Sequence, residues 1–261
     1  MELVDILVDL ARQLGNHSAK LVSFDEGLVA AKMDGYLVIT RPGARLGSLD
    51  RGDFVAFDPN PLIELLKVDQ LRRQAEEETL IASRMESDMP MPGPEAFFVA
   101  DLLERSESRM LAHVQPVLVN QILASPRARQ FADRRITLRD VYNCGSTAAL
   151  VPYADPGIAL AKEVRNKVSL WRDRSRIDPN VVLLQNNGMV VLGNSPEEII
   201  ESIEKMLRAA DVFVGASLLG GPQFLTVANI GRATEYRRTI DAIGTNPANV
   251  PQTASSELAN S

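Results

Sequence analysis

Two hairpin signatures, one in the first third of the sequence and one in the last third, constrain the fold most strongly. The apolar runs 28–33 and 36–41 flank Asp34-Gly35, and the apolar runs within 180–193 (NVVLLQNNGMVVLG) flank an Asn-Asn-Gly turn. Gly, Asn and Asp tolerate the positive φ angles that tight turns between antiparallel strands require. We therefore predict an antiparallel sheet that contains both hairpins.

Helical patterns separate these strand clusters. Residues 3–14 carry an apolar stripe that ends at Gly15, and Ser195-Pro196 followed by Glu198 is typical of a capped helix start. Asp155 before Pro156 suggests another N-cap, and Glu95 opens an apolar helix. Further strands are expected in residues 53–58, 136–142 and 148–153, and residues 110–119 are expected to form a strand that runs into a turn at Pro116. The pattern predicts one antiparallel sheet covered by helices.

Composition and charge exclude several classes of protein. The 261 residues include 28 basic and 34 acidic side chains, a net charge of -6, which argues against binding to a nucleic-acid backbone. The single cysteine, Cys144, excludes an internal disulfide and is expected to be an inert thiol in a reducing compartment, so we predict a cytoplasmic protein. No apolar run reaches the roughly 18 residues of a membrane span, and the acidic residues of 1–14 argue against a signal peptide.

Domain organisation follows from the same patterns. Residues 1–244 are expected to form a single domain, and the polar segment 245–261, which lacks an apolar face, is expected to be a disordered tail. The basic run 127–135 is interpreted as a solvated helix face or a subunit contact.

The scarcity of histidine limits the chemistry. The chain contains only His17 and His113. Histidine is the commonest metal ligand and a frequent acid or base in catalysis. A zinc site with three histidines cannot therefore form within one chain.

Several segments resemble the class II aldolase/adducin family in order and spacing. Segment 27–43 (GLVAAK, YLVITRPG) stands where the family has a Gly-Asn-x-Ser-x-Arg strand and a Thr-Pro-Ser-Gly turn. Segment 92–103 matches its Ser-Ser-Glu helix start, and 110–123 matches the strand and helix around its His-x-His pair. The most specific matches are 149–164 (ALVPYADPGIALAKEV) and 181–200, which resembles the Asn-His-Gly hairpin and its helix.

The resemblance implies an α/β fold with three layers, αβα, around a central, mainly antiparallel sheet. It also implies a homotetramer with active sites between subunits. Active members use a divalent metal, usually zinc, and cleave or epimerise phosphorylated ketoses. In such a site the metal polarises the substrate carbonyl, a Glu moves the proton, and the turns hold the phosphate.

Carried over to this chain, the metal set is incomplete. The first metal position falls on His113, the second on Gln115 and the third on Asn187, whereas the acid/base position retains Glu95. Amide oxygens suit hard cations such as magnesium, calcium or manganese better than zinc. A divalent metal therefore remains open, and zinc is doubtful.

The phosphate set is also altered. Its Asn and Ser positions fall on Leu28 and Ala30, the Ser of the turn falls on Pro42, and the Ser-Ser pair becomes Gly93-Pro94. Proline also removes a backbone N–H donor. Lys32 and Thr40 remain as polar candidates for substrate binding.

Each residue at a metal or acid/base position of the family has, besides that functional role, a possible structural role. His113 is either a ligand or a hydrogen-bonded remnant at a strand end, and Glu95 is either an acid/base or a first-turn acid favoured by the helix dipole. Turn chemistry alone accounts for Asn187. For Gln115, too, a structural role without a metal is the alternative to a role as a ligand.

Two functions remain after this comparison. The first is a non-catalytic subunit or binding module, a pseudoenzyme that assembles as a homo-oligomer or with a paralogue and could hold a small molecule. The second is an active carbon–carbon lyase, decarboxylase or epimerase with altered metal and substrate specificity. The lost histidines and phosphate contacts favour the first.

Overall fold

The structure is a computed structural model, which describes residues 3–16, 21, 26–70, 72 and 74–245. Within it, only the backbone is described for residues 237, 238 and 240–245. His17 and all of the expected tail except Thr245 lie outside the described residues.

Seven strands form one sheet in the described part of the chain. They are β1 (Gly27–Lys32), β2 (Leu37–Thr40), β3 (Phe54–Phe57), β4 (Met110–Val114), β5 (Ala149–Val151), β6 (Val181–Leu184) and β7 (Met189–Gly193). Their order is β3-β2-β1-β4-β7-β6-β5, and every neighbouring pair is antiparallel except β5 and β6. Both predicted hairpins, β1–β2 and β6–β7, are confirmed.

Ten α-helices lie in the same residues. They are α1 (Leu3–Leu14), α2 (Asn60–Leu65), α3 (Ala75–Ser83), α4 (Ala96–Glu104), α5 (Val117–Leu123), α6 (Ala128–Asp133), α7 (Leu138–Cys144), α8 (Ile158–Ser175), α9 (Pro196–Leu218) and α10 (Val227–Thr245). Helices α1, α5, α6 and α9 pack against one face of the sheet, and α2, α3, α4 and α8 pack against the other. The expected α/β fold of three layers is therefore confirmed.

The alternation of side chains along each strand divides the core in two. On β1, Val29 and Ala31 face the α1 side, whereas Leu28 and Ala30 face the α4 side. On β4, Ala112 faces the α1 side. Because successive side chains of a strand point to opposite faces, His113 is directed towards α4.

Two sequence-based predictions of local structure are wrong. Residues 136–142 were expected to form a strand, but they enter α7, because Thr137 and Asp140 form a reciprocal capping box at its start. Helix α8 was expected to begin at Asp155, but its N-cap is Gly157, at a φ of 96°, where the backbone favours glycine.

The basic run 127–135 also departs from expectation at its last residue. Arg135 is buried, and its guanidinium donates hydrogen bonds to five backbone carbonyls, including Gly145 O at 2.7 Å and Phe131 O at 3.0 Å. Burial lowers the pKa of Arg135. This side chain joins the ends of α6 and α7 and is not part of a solvated face, whereas Arg129 pairs at the surface with Asp133.

Candidate functional site

A cleft of about 280 Å³ opens where β1 begins, β4 ends and α4 begins. The turns after β2 and β6 complete its walls. Five of the six residues predicted for the site line it: Thr40, Glu95, His113, Gln115 and Asn187. The other described lining residues are Gly27, Leu28, Ile39, Arg41, Pro42, Gly43, Ala44, Gly93 and Pro94.

His113 is held on the α4 face of β4. It pairs across the strands with Leu28 of β1, and its ring meets the ring of Phe98 edge-on, with centroids 5.8 Å apart. Its Nε2–H donates a hydrogen bond to the backbone carbonyl of Asn187, 2.7 Å away. Burial lowers the pKa of His113, and the hydrogen bond to the Asn187 carbonyl and the nearby charge of Glu95 offset this lowering only partly. The imidazole is thus neutral at pH 7.

The turn after β6 carries Asn187 to the cleft. Asn186 has a φ of 59°, and Gly188 has a φ of 75°, which closes the loop between β6 and β7. A Cβ on Gly188 would lie 2.3 Å from the backbone oxygen of Val114. The lack of a side chain there lets the turn approach the end of β4, which brings the Asn187 carbonyl to His113.

Gln115 follows β4 directly and is partly buried. Its Oε1 accepts a hydrogen bond from Asn120 Nδ2 of α5 at 3.4 Å. The amide oxygen that the resemblance placed at a metal is therefore within reach of a protein donor.

Glu95 is the N-cap residue of α4, and its carboxylate reaches the cleft wall. A Cβ on Gly93 would lie 2.6 Å from Glu95 Oε2, so the carboxylate occupies space that any larger residue at Gly93 would contest. Glu95 makes no side-chain cap hydrogen bond to α4. If Glu95 has a structural role at the start of α4, that role therefore depends on the helix dipole and not on a side-chain cap hydrogen bond.

The structure separates the two polar residues assigned to substrate binding. Thr40 is buried at the end of β2 beside the cleft. Lys32 lies at the opposite end of β1 from Gly27, and its Nζ donates to the backbone oxygen of Ser106 at 3.3 Å. Lys32 therefore does not line the cleft, because the strand runs away from it.

Sequence reasoning did not assign a role to Arg41 at this site. Arg41 lines the cleft and pairs with Asp53, with its NH2 nitrogen 2.7 Å from the carboxylate. Its position within the TRPG segment after β2 was the available signal. Cys144 lies elsewhere, against the core on the α1 side, and burial raises the pKa of its thiol to about 11.

The donor set of the cleft does not fit a zinc ion held by imidazoles. The cleft offers one imidazole, whose Nε2 proton is already directed to a protein carbonyl, and two amides in place of the other two rings. Among the described residues, no group of three or more His, Cys, Asp or Glu side chains could hold a metal ion.

A family model identifies the family to which the chain belongs. The model of the class II aldolase and adducin N-terminal domain matches residues 6–214, which is most of the chain. The chain belongs to the class II aldolase and adducin family. No curated protein sequence matches it significantly.

Solved structures show the same fold at low sequence identity. L-fuculose 1-phosphate aldolase superposes with a TM-score of 0.67 and 13% identity, over 91% of this chain and 97% of the other. The N-terminal class II aldolase domain of a Thermoplasma acidophilum protein gives a TM-score of 0.64 and 20% identity, over 81% and 93%. YgbL from Escherichia coli gives a TM-score of 0.61 and 19% identity, over 89% and 97%.

No helix in the described residues is both long and apolar enough to cross a membrane. The element α10 lies beyond the residues that the family model matches.

Proposed function

We propose that this family member is a non-catalytic subunit or small-molecule-binding module that has given up metal-dependent aldol chemistry. In this proposal residues 1–244 form one cytoplasmic domain, which assembles as a homotetramer or with a catalytic paralogue. The fold is retained as a scaffold, and the cleft between β1, β4 and α4 is the binding site.

The hydrogen bond from His113 Nε2 to the Asn187 carbonyl carries the proposal. An imidazole nitrogen that bears a proton has no lone pair to give to a metal. Nδ1 remains, but one nitrogen with two neutral amides is a weak set for zinc. The bond instead fixes the β6–β7 turn against β4, which is a structural task.

The side of the cleft that the resemblance assigns to phosphate supports the same proposal. Leu28 is buried there with Ile39, and Pro42 stands in the turn after β2. Leucine and isoleucine side chains offer no hydrogen-bond donor, and proline has no N–H. A phosphate would lose hydration without regaining donors from these residues, and such uncompensated desolvation is unfavourable.

One observation favours a second candidate, an active lyase, decarboxylase or epimerase with a hard cation. Glu95 and His113 line the same cleft, near enough for the carboxylate charge to raise the imidazole pKa against the effect of burial. A carboxylate beside an imidazole could move a proton. This candidate predicts metal-dependent turnover on an aldol without phosphate.

Metal analysis and turnover assays test the proposal. The purified chain is analysed for bound metals, then assayed on phosphorylated and unphosphorylated aldols with added zinc, magnesium, calcium or manganese. We expect less metal than protein, and no turnover above the blank, in the wild type and in Glu95→Gln. Glu104→Gln, at the exposed far end of α4, is the matched control. Metal-dependent turnover that Glu95→Gln abolishes and Glu104→Gln preserves would overturn the proposal in favour of the second candidate.

A further inference from the structure

We propose that this cleft binds a small organic cation, a primary ammonium on a short apolar chain, with Glu95 as its counter-ion. The inference rests on the proposed function, because it treats Glu95 as a binding group with no proton to transfer. It assigns to the site a ligand of opposite charge to a sugar phosphate.

The charges along the cleft point to a cation. Of the ionisable side chains among the described lining residues, Arg41 is paired with Asp53, with its guanidinium 2.7 Å from the carboxylate. The Nε2 proton of His113 is donated to the Asn187 carbonyl. The Glu95 carboxylate, in contrast, has no hydrogen bond or ion pair with another described residue. An anion entering the cleft would meet this negative charge and be repelled.

The Glu95 carboxylate lies at the wall of the cleft, where a ligand could contact it. The backbone of Gly93 leaves room for Oε2, since a Cβ there would lie 2.6 Å from that oxygen and 3.4 Å from the Pro42 ring. The carboxylate thus lies at the cleft wall beside Gly93 and near Pro42, and Glu95 is partly exposed. A carboxylate that no described protein donor satisfies can accept a charge-assisted hydrogen bond from a ligand.

The rest of the lining suits the other parts of such a ligand. Leu28 and Ile39 supply apolar surface, and the amide residues Gln115 and Asn187 also line the cleft. An ammonium carries three N–H donors and no acceptor, so it suits a cleft whose lining carboxylate is an acceptor without a described donor. The volume of about 280 Å³ lies at the small end of ligand sites, which limits the ligand to a short chain.

Three molecules of similar size and different charge test the inference. Binding of n-butylammonium, butyramide and butyrate to the full chain is measured by isothermal titration calorimetry and ligand-observed NMR at constant ionic strength. We expect n-butylammonium to bind, butyramide to bind at least about tenfold more weakly, and butyrate not to bind. Equal or tighter binding of butyramide or butyrate, or no binding of any of the three, would overturn the inference.

Variants locate the site. Glu95→Gln should weaken n-butylammonium binding by about tenfold or more, because it removes the charge while keeping the side-chain shape. Gly93→Ala should also weaken it by displacing the carboxylate, and Glu104→Gln on the same helix should bind as the wild type does. Unchanged binding in both cleft variants contradicts the inference. Thermal unfolding of each variant checks that its fold is intact, and the selectivity of the wild type decides the matter if a variant is unfolded.

The two proposals can fail separately. Metal-dependent turnover that requires Glu95 would overturn the proposed function whether or not n-butylammonium binds. Absence of both turnover and ammonium binding would overturn the inference about the ligand and leave the non-catalytic proposal standing.

Discussion

Single side chains in this fold combine structural and chemical constraints. His113 shows this most directly: its position on β4 sets it against Phe98 and beneath the β6–β7 turn, and the only described hydrogen bond of its ring goes to the Asn187 backbone. Gly188 makes that bond geometrically accessible by letting the turn approach β4. The ring that the resemblance assigns to a metal thus donates a hydrogen bond within the fold.

The buried imidazole should make stability depend on pH. The pKa of His113 is lowered from 6.5 in the folded chain, so the unfolded chain takes up the proton first as pH falls. Its neutral form thus contributes full stability above pH 6.5, and that contribution is lost as pH falls below 6.5 towards the folded pKa. We expect the free energy of unfolding to fall more steeply between pH 7 and 5 in the wild type than in His113→Asn, by up to about 1.4 kcal/mol per pH unit.

Urea unfolding at a series of pH values provides the measurement. The carboxylates titrate in both proteins, so the difference between their two slopes isolates His113. Parallel curves would show that the imidazole charges as easily in the folded chain as in the unfolded chain.

Contacts between elements depend on where the chain lacks a side chain. The end of α1 approaches the 3₁₀ turn Leu46–Ser48 so closely that a Cβ on Gly15 would lie 2.1 Å from the backbone nitrogen of Gly47. The sequence identifies Gly15 as a helix stop, which is also its position in the structure. Gly15 also allows α1 to approach the turn at Gly47 closely. This second role could not be predicted from the sequence, because the turn lies far from Gly15 along the chain.

Gly15→Ala should destabilise the protein by about 2 kcal/mol or more, because backbone atoms must move to admit the methyl group. Gly215→Ala is the matched control: this glycine lies inside α9 with open space around its Cα. The control should be neutral or stabilising by about 0.5–1 kcal/mol, since alanine favours the helix. Equal effects of the two substitutions on urea unfolding would contradict the close approach.

Polar contacts as well as apolar ones join α4 to α8 within the helical layer on one face of the sheet. Asp101 of α4 is 2% exposed, and its carboxylate lies 2.7 Å from the Arg165 guanidinium of α8 and 3.4 Å from that of Arg105. Arg105 in turn donates to Ser169 Oγ of α8 at 2.9 Å. These bonds fix α4, and with it Glu95 at the helix start, relative to α8 on the same face of the sheet.

Asp101→Asn should lower the free energy of unfolding by about 2 kcal/mol, because it leaves the charge of Arg165 without its buried partner. The effect is smaller than for a fully buried pair, since the Arg165 side chain is 22% exposed. Asp133→Asn removes the exposed partner of Arg129 and should cost less than about 0.5 kcal/mol. Comparable losses from the two variants in denaturant titrations would show that the α4–α8 ion pair carries no special weight.

Most of the fold could be predicted from the sequence, because the deciding signals were local. Asp34-Gly35 and the Asn-Asn-Gly turn specified their hairpins, and Ser195 capped α9 by accepting from the Glu198 amide as expected. The errors arose where local signals competed. Thr137 and Asp140 cap a helix in a segment with strand composition, and Gly157 replaces Asp155 as the N-cap of α8.

The sequence predicted most of the residues that line the candidate site, but it did not predict their contacts. The order and spacing of motifs placed Glu95, His113, Gln115 and Asn187 together, and these residues do line one cleft. Lys32 lies at the other end of β1 from the cleft, and its motif position did not indicate in which direction β1 runs. The ion pair of Arg41 with Asp53 joins the segment after β2 to the turn before β3, and no motif in the sequence indicates it.

The sequence by itself determined that this chain forms hairpins, helices and one sheet, and that a centre of three histidines is excluded. Turn residues, caps and apolar periodicity act over a few neighbouring residues, so they can be read along the chain. Only the tertiary structure decided what the remaining polar residues do. The approach of Gly188 to β4 and the pairing of Arg41 with Asp53 bring together segments that are distant in the sequence. Burial between such segments lowers the pKa of His113 and places its ring in the same cleft as Glu95.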